Sequence, residues 1–152
     1  MPFIDANDSS YQEFMVSLMS NMEIRNFSAG EIIYRELDEC LEILFVMEGK
    51  FDMGYEINKR ITWRRQFGHS VEIGGFQLAY QKKHLFAIRA RTDLHCYAIR
   101  RKPWYNLMRE YPNYEKILNR KFLNFYLNKV HLRLKKLKQI DIDKYDKRRD
   151  FE

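Results

Sequence analysis

Between Glu23 and Ile99 the chain is a succession of short runs rich in Ile, Phe, Tyr and Val, each closed by turn-forming residues. This segmentation restricts the fold more than any other feature, because closely spaced short strands with turns between them are the signature of an antiparallel barrel or jelly roll. Strands are expected at Glu23 to Phe27, Glu31 to Arg35, Glu42 to Met47, Lys50 to Ile57, Arg60 to Gln66, Phe86 to Arg91 and Leu94 to Ile99. Ala29-Gly30, Glu48-Gly49 and Asn58-Lys59 supply turns.

Both flanks are helical in pattern. Ser10-x-x-Glu13 reads as a capping box, followed by Phe14, Met15, Leu18, Met19 and Met22 at helical spacing. After Ile99, Pro103 stands where a first helical position would be, Trp104, Leu107, Met108 and Tyr111 share a face, and Pro112 ends the segment. A longer helix is expected from Asn113 to Gln139. It carries one stripe of Ile117, Leu118, Phe122 and Phe125 and another of Leu123, Leu127, Val130, Leu134 and Leu137. Two stripes require two surfaces to cover: the first packs on the barrel, the second faces a subunit partner or a lid position over a pocket. The expected class is therefore α+β, an antiparallel β-barrel or jelly roll of about seven to eight strands with one N-terminal and two C-terminal helices. One domain spans 1–139, divided into a helix at 1–22, the strands at 23–99 and helices at 100–139, with a basic tail at 140–152.

A length of 152 residues with 45% hydrophobic content supports one buried core. The longest apolar runs, such as Ile43 to Met47, fall far short of the roughly 20 residues a membrane helix requires. Met1 to Asp5 lacks the features of a secretory signal and reads as the edge of a longer chain, cytosolic in character. Cys40 and Cys96 have no C-x-x-C spacing, which favours reduced structural thiols. The net charge of +6 is concentrated between Lys129 and Arg149. Such a segment is either a solvated helix face or a surface for anionic lipid or nucleic acid.

Specific stretches sharpen the reading. Pro2-Phe3 with Asn7, Phe27-Ser28-Ala29-Gly30-Glu31-Ile32-Ile33-Tyr34-Arg35-Glu36, the hairpin stretch Leu44 to Gly49, and Ile88-Arg89-Ala90-Arg91-Thr92 followed by Tyr97-Ala98-Ile99, Leu107 and Tyr111-Pro112 resemble the cyclic-nucleotide-binding domain of cation channels. The similarity is to hyperpolarisation-activated, cyclic-nucleotide-gated and ether-à-go-go-type channels and runs from Pro2 to about Lys138. It implies a regulatory, non-enzymatic domain on the cytoplasmic side of a plasma or ciliary membrane, partnered by the pore domain of a parent channel in a homotetramer. The isolated domain would be soluble.

The resemblance also implies where a ligand would sit. The family's phosphate-binding cassette runs F-G-E-x-x-L, then R-x-A-(S/T)-V: Glu takes the ribose hydroxyl, while Arg and Ser or Thr take the cyclic phosphate. Here Gly74 matches the Gly, but Gly75 stands for Glu, His84 for Arg and Ala87 for Ser or Thr. An earlier Phe67-Gly68-His69 imitates the start but would demand extra residues, so the later register is preferred. The cassette-equivalent positions are Gly74, Gly75, Phe76, Gln77, His84, Phe86, Ala87 and Ile88. Gly75 reads equally as a helix-start residue. A protonated His84 would substitute weakly for Arg, and Lys82 and Lys83 would add a diffuse positive field. Losing the guanidinium alone weakens binding by roughly one to two decades.

By the same resemblance, Phe125, Asn128, Lys129 and Leu132 would form a lid helix, and a segment after the last helix would occupy the pocket as an intrinsic ligand. The alternating tail Ile140 to Asp146 has a strand-like pattern and offers Ile142, Lys144 and Tyr145 for that role, a frayed end being the alternative. Three functions stay in play. The first is a gating domain that binds cyclic nucleotides weakly or not at all and needs no cofactor. The second is a cAMP or cGMP sensor with an altered cassette, and the third is a binder of anionic membrane through the basic end. His69, His84, His95 and His131 form no metal-binding spacing, and neither Ser70 nor Cys96 belongs to a nucleophile and base set. No helix-turn-helix follows the long helix, so nucleic acid is not an expected partner.

Overall fold

The computed structural model describes residues 9–149. Pro2, Phe3 and Asn7, with the first residues of the expected N-terminal helix, and the last tail residues lie outside the described span. Helix α1 covers Ser9–Ser20 and includes Ser10. Eight strands follow: β1 Glu23–Phe27, β2 Ile32–Tyr34, β3 Glu42–Glu48, β4 Phe51–Ile57, β5 Arg60–Phe67, β6 Glu72–Ile73, β7 Ala87–Ala90 and β8 Leu94–Arg100. A short helix α2, Gly75–Tyr80, interrupts them after β6. The strands pair antiparallel in two four-stranded sheets, ordered β1-β8-β3-β6 and β2-β7-β4-β5. This is the jelly-roll form of the expected class; the sheets face each other and do not close into a barrel.

β3 shows why one strand here reads as an unbroken apolar run. Leu44 and Val46 point into the core between the sheets, with Phe51, Met53, Tyr55, Ile88 and Leu94. Ile43, on the alternate side, packs with Phe14, Leu18, Trp104, Leu107, Met108 and Phe122 in a second core beneath the helices. A strand buried on both faces loses the polar half of its period. In α1, Phe14 and Leu18 are buried, whereas Met19, expected on that face, is 64% exposed.

Helix α3 spans Arg101–Glu110, with Pro103 as its third residue. Pro112 does more than stop it: it is the first residue of α4, Pro112–Phe125, where a missing N–H and a fixed φ are tolerated. The helix then widens into a π-helical turn, Tyr126–His131, and continues as α5, Leu132–Arg149. The strand-like or frayed tail expected from Ile140 is therefore corrected to helix. The Ile-Asp-Ile-Asp alternation is overridden because Leu134, Lys138, Asp141 and Tyr145, at spacings of three and four, place one helical face against the β4–β5 hairpin.

Candidate functional site

Cassette geometry begins at Gly74, whose φ of +100° suits glycine. A Cβ there would stand 2.8 Å from both Cys40 Sγ and the Glu42 carbonyl. Burial raises the Cys40 thiol to about 12, so it stays protonated and donates to the Glu42 oxygen at 3.3 Å. Gly75 opens α2, and its N–H donates to Glu72 Oε2 at 2.7 Å. The acceptor at this helix start is thus supplied by the chain itself. A Cβ on Gly75 would lie 2.7 Å from the ring of Phe122 as well as from that carboxylate oxygen. Burial pushes Glu72 up to about 7, against the Gly75 N–H, which lowers it. Helix α2 starts directly after Gly74, whereas Phe67 closes β5, which places the short helix at the later of the two registers.

His84, expected as a weak stand-in for a guanidinium, is 2% exposed and stacked on Tyr34 with ring centroids 3.9 Å apart. Its backbone N–H donates to the Asp38 carbonyl at 3.0 Å, and its own carbonyl accepts from Leu37 at 2.7 Å. Desolvation lowers the imidazole to about 4, only partly opposed by Asp38, so the ring is neutral at physiological pH. The weak-cation expectation is corrected: His84 is a packing residue with a lone Nε2. Phe86, Ala87 and Ile88 are buried along β7 and present no polar side chain to a ligand.

The space between these elements is filled from within. Phe76 of α2 stacks on Tyr126 of the π-helical turn at 4.0 Å and 4°. Phe125 meets Phe67 edge-on at 6.2 Å, and Val130 adds an aliphatic wall. A void of about 20 Å³ remains, bordered by Gln77, His84 and Glu72 among others. That is room for one water, against the roughly 300 Å³ at the lower end for small-molecule sites.

The four residues expected to form a lid do not share the inward face of this helix. Phe125 borders the void, whereas Asn128 and Lys129 are exposed and Leu132 is 59% exposed. The inward residues are Phe122, Tyr126, Val130 and Leu134, four apart each time. A spacing of four drifts off one face of a regular α-helix, and the wider π-helical turn takes up the drift. That turn is what sequence periodicity missed. None of Ile142, Lys144 and Tyr145 borders the void. They belong to α5, which lies over the hairpin: Tyr55 donates to Asp141, Arg64 Nε sits 3.4 Å from the same carboxylate, and Asn58 Nδ2 donates to Tyr145 Oη at 2.9 Å. Lys138 reaches Glu36 at 3.4 Å, and Arg65 Nη1 donates to the Lys129 carbonyl at 2.9 Å. Side chains of this chain hold the terminal helix against the strands.

Cys40 and Cys96 are both unpaired and buried. No cluster of three His, Cys, Asp or Glu side chains able to hold a metal occurs among the described residues, and no described helix is long and apolar enough to cross a membrane.

No protein-family model and no curated protein sequence matches the chain. Solved structures do. The catabolite activator protein of Thermus thermophilus is 19% identical with a TM-score of 0.66, over 83% of this chain and 59% of that one. The C-linker/CNBHD of zELK channels, crystallised in the presence of cAMP, is 21% identical with a TM-score of 0.65, over 82% and 61%. The regulatory domain of Toxoplasma gondii PKA, in complex with cAMP, is 14% identical with a TM-score of 0.59, over 67% and 38%. The chain thus spans less than two thirds of the length of each. At such identities the likeness is one of architecture: this chain has the fold of the cyclic-nucleotide-binding domains.

Proposed function

We propose that this chain is a regulatory module that works without a cyclic nucleotide, the cytoplasmic gating domain of a tetrameric cation channel with a degenerate cassette. The observation that carries the reading is the neutral, enclosed His84 beside a void of about 20 Å³, where a ligand-binding site would need a fixed cation and an open cavity. The side-chain latch of α5 on the hairpin supports it too, because the chain's own contacts hold the helix in place and a nucleotide could shift it only by binding another arrangement better. The channel context rests on the sequence stretches described above and on the likeness to the zELK domain. In this role the pore domain of the parent is the partner, and movement of the α4–α5 rod against the sheets is the output. Isothermal titration with cAMP and cGMP is expected to give no saturable heat at millimolar ligand; low-micromolar binding of either would restore the reading of a sensor with an altered cassette.

A second reading has its own observation. Helix α5 exposes Lys135, Lys136, Lys144, Lys147 and Arg148 alongside two exposed acids, Asp143 and Asp146, a net cationic surface suited to anionic lipid. Co-sedimentation with phosphatidylserine vesicles, lost on Lys135→Glu with Lys136→Glu, would support it.

A further inference from the structure

We propose that the groove between the α2–β7 connection and the π-helical turn binds an anionic amphiphile, a carboxylate or phosphate headgroup on an apolar tail. This groove has a volume of about 400 Å³, within the range of about 300–1,000 Å³ typical of small-molecule sites. It lies outside the filled cassette: Phe76 and Tyr126 border both spaces, so their stacked rings are the wall between them.

Charge and apolar surface sit side by side here. Lys82 and Lys83 line one side, are exposed, and make no ion pair among the described residues. No acidic side chain borders the groove. Its apolar surface includes Leu85, 44% exposed, and Leu127, 38% exposed. Leu85 stands outward between two buried neighbours, His84 and Phe86. Exposed leucines beside unpaired ammonium groups match a ligand with one anionic end and one apolar end.

The wall adds an independent sign. Tyr126 is 5% exposed, and its hydroxyl has no hydrogen-bond partner. The Nδ1 of His131, another residue of the groove, is also buried without one. Buried polar atoms are nearly always paired, and two orphans in one short wall mark hydrogen-bonding capacity that a ligand parting the stack would use. Both belong to the π-helical turn, a geometry that recurs at functional sites.

The test is a 1H–15N titration of the full chain with decanoate, decyl phosphate and decanol, each below its critical micelle concentration. Saturable shifts are expected at Lys83, Leu85 and Leu127 with both anions, and binding roughly tenfold weaker for decanol, the loss expected for one charge-assisted contact. Lys82→Glu with Lys83→Glu should weaken decanoate by at least about tenfold. The melting temperature should stay unchanged, since both side chains are exposed. Tyr126→Phe keeps the stack, removes the hydroxyl and should weaken the anions as well. Equal binding of decanol, an unchanged affinity in the double lysine variant, or shifts confined to α5 would each overturn the proposal. A parallel arm with phosphatidylglycerol vesicles separates the sources. Co-sedimentation lost in the lysine variant places the headgroup in a bilayer, and decanoate binding without co-sedimentation places the amphiphile free in solution.

Discussion

Replacing His84 by Phe tests the neutral imidazole on which the functional reading turns. The ring stacked on Tyr34 is retained, the unpaired Nε2 disappears, and the backbone bonds to Asp38 and Leu37 are untouched. In the folded protein burial holds His84 at about 4, against 6.5 for a free side chain, a displacement of about 3 kcal/mol at about 1.4 kcal/mol for each pH unit. Between pH 6.5 and 4 the unfolded chain takes up a proton that the folded one refuses, so stability falls as pH falls through that window. Glu72 acts in the opposite sense. With its folded value pushed to about 7 from 4.5, the folded state holds the extra proton, and stability falls as pH rises through that range. The two nearly offset each other in the wild type, and single variants unmask them. Urea denaturation followed by tryptophan fluorescence at pH 7, 6, 5 and 4 should show His84→Phe gaining about 3 kcal/mol on the wild type between the ends of the series. Glu72→Gln should lose relative stability over the same descent. An Arg at position 84 cannot shed its proton and should destabilise by about 3 kcal/mol at every pH. If the wild-type and His84→Phe curves run parallel, the native imidazole titrates normally, the site can carry a cation, and the argument against phosphate binding falls.

Restoring the carboxylate at the first cassette position should fail for steric reasons: Gly75→Glu sets a Cβ 2.7 Å from the Phe122 ring and should lower stability by about 1–3 kcal/mol in a denaturant titration. An undiminished midpoint would mean that the helix interface yields easily. Truncation before Ile140 removes the Asp141 and Tyr145 links to the hairpin and should cost about 2 kcal/mol, several degrees in a calorimetric scan. An unchanged melting temperature would show that the latch adds nothing.

Much of the sheet was legible because its strands are half-buried or bounded by clear turns. β1 and β4 fall where alternation and the Asn58-Lys59 turn put them. β6 was not legible, since two residues, Glu72 and Ile73, carry no measurable period. Helix α2 is hidden for a similar reason: six residues beginning with Gly give too little pattern, although Gly75 itself was readable as a helix start. The tail misled by local alternation, because Asp141 and Tyr145 reveal their purpose only when Tyr55 and Asn58 stand opposite. At the site, the absence of Arg at 84 and of Glu at 75 was visible in the letters. That His84 would be sealed and neutral, and that Tyr126 would fill the space, depended on burial that no linear pattern encodes.

The π-helical turn at Tyr126–His131 amounts to a residue of slack in an otherwise regular rod. Rewinding the turn as ordinary α-helix with every residue kept would swing everything downstream by about 100° around the axis. Asp141 and Tyr145 would rotate off Tyr55 and Asn58 although neither had been altered. The angular setting of the C-terminal end is therefore fixed at a hinge upstream, and exchange between the two windings would act as a rotary switch.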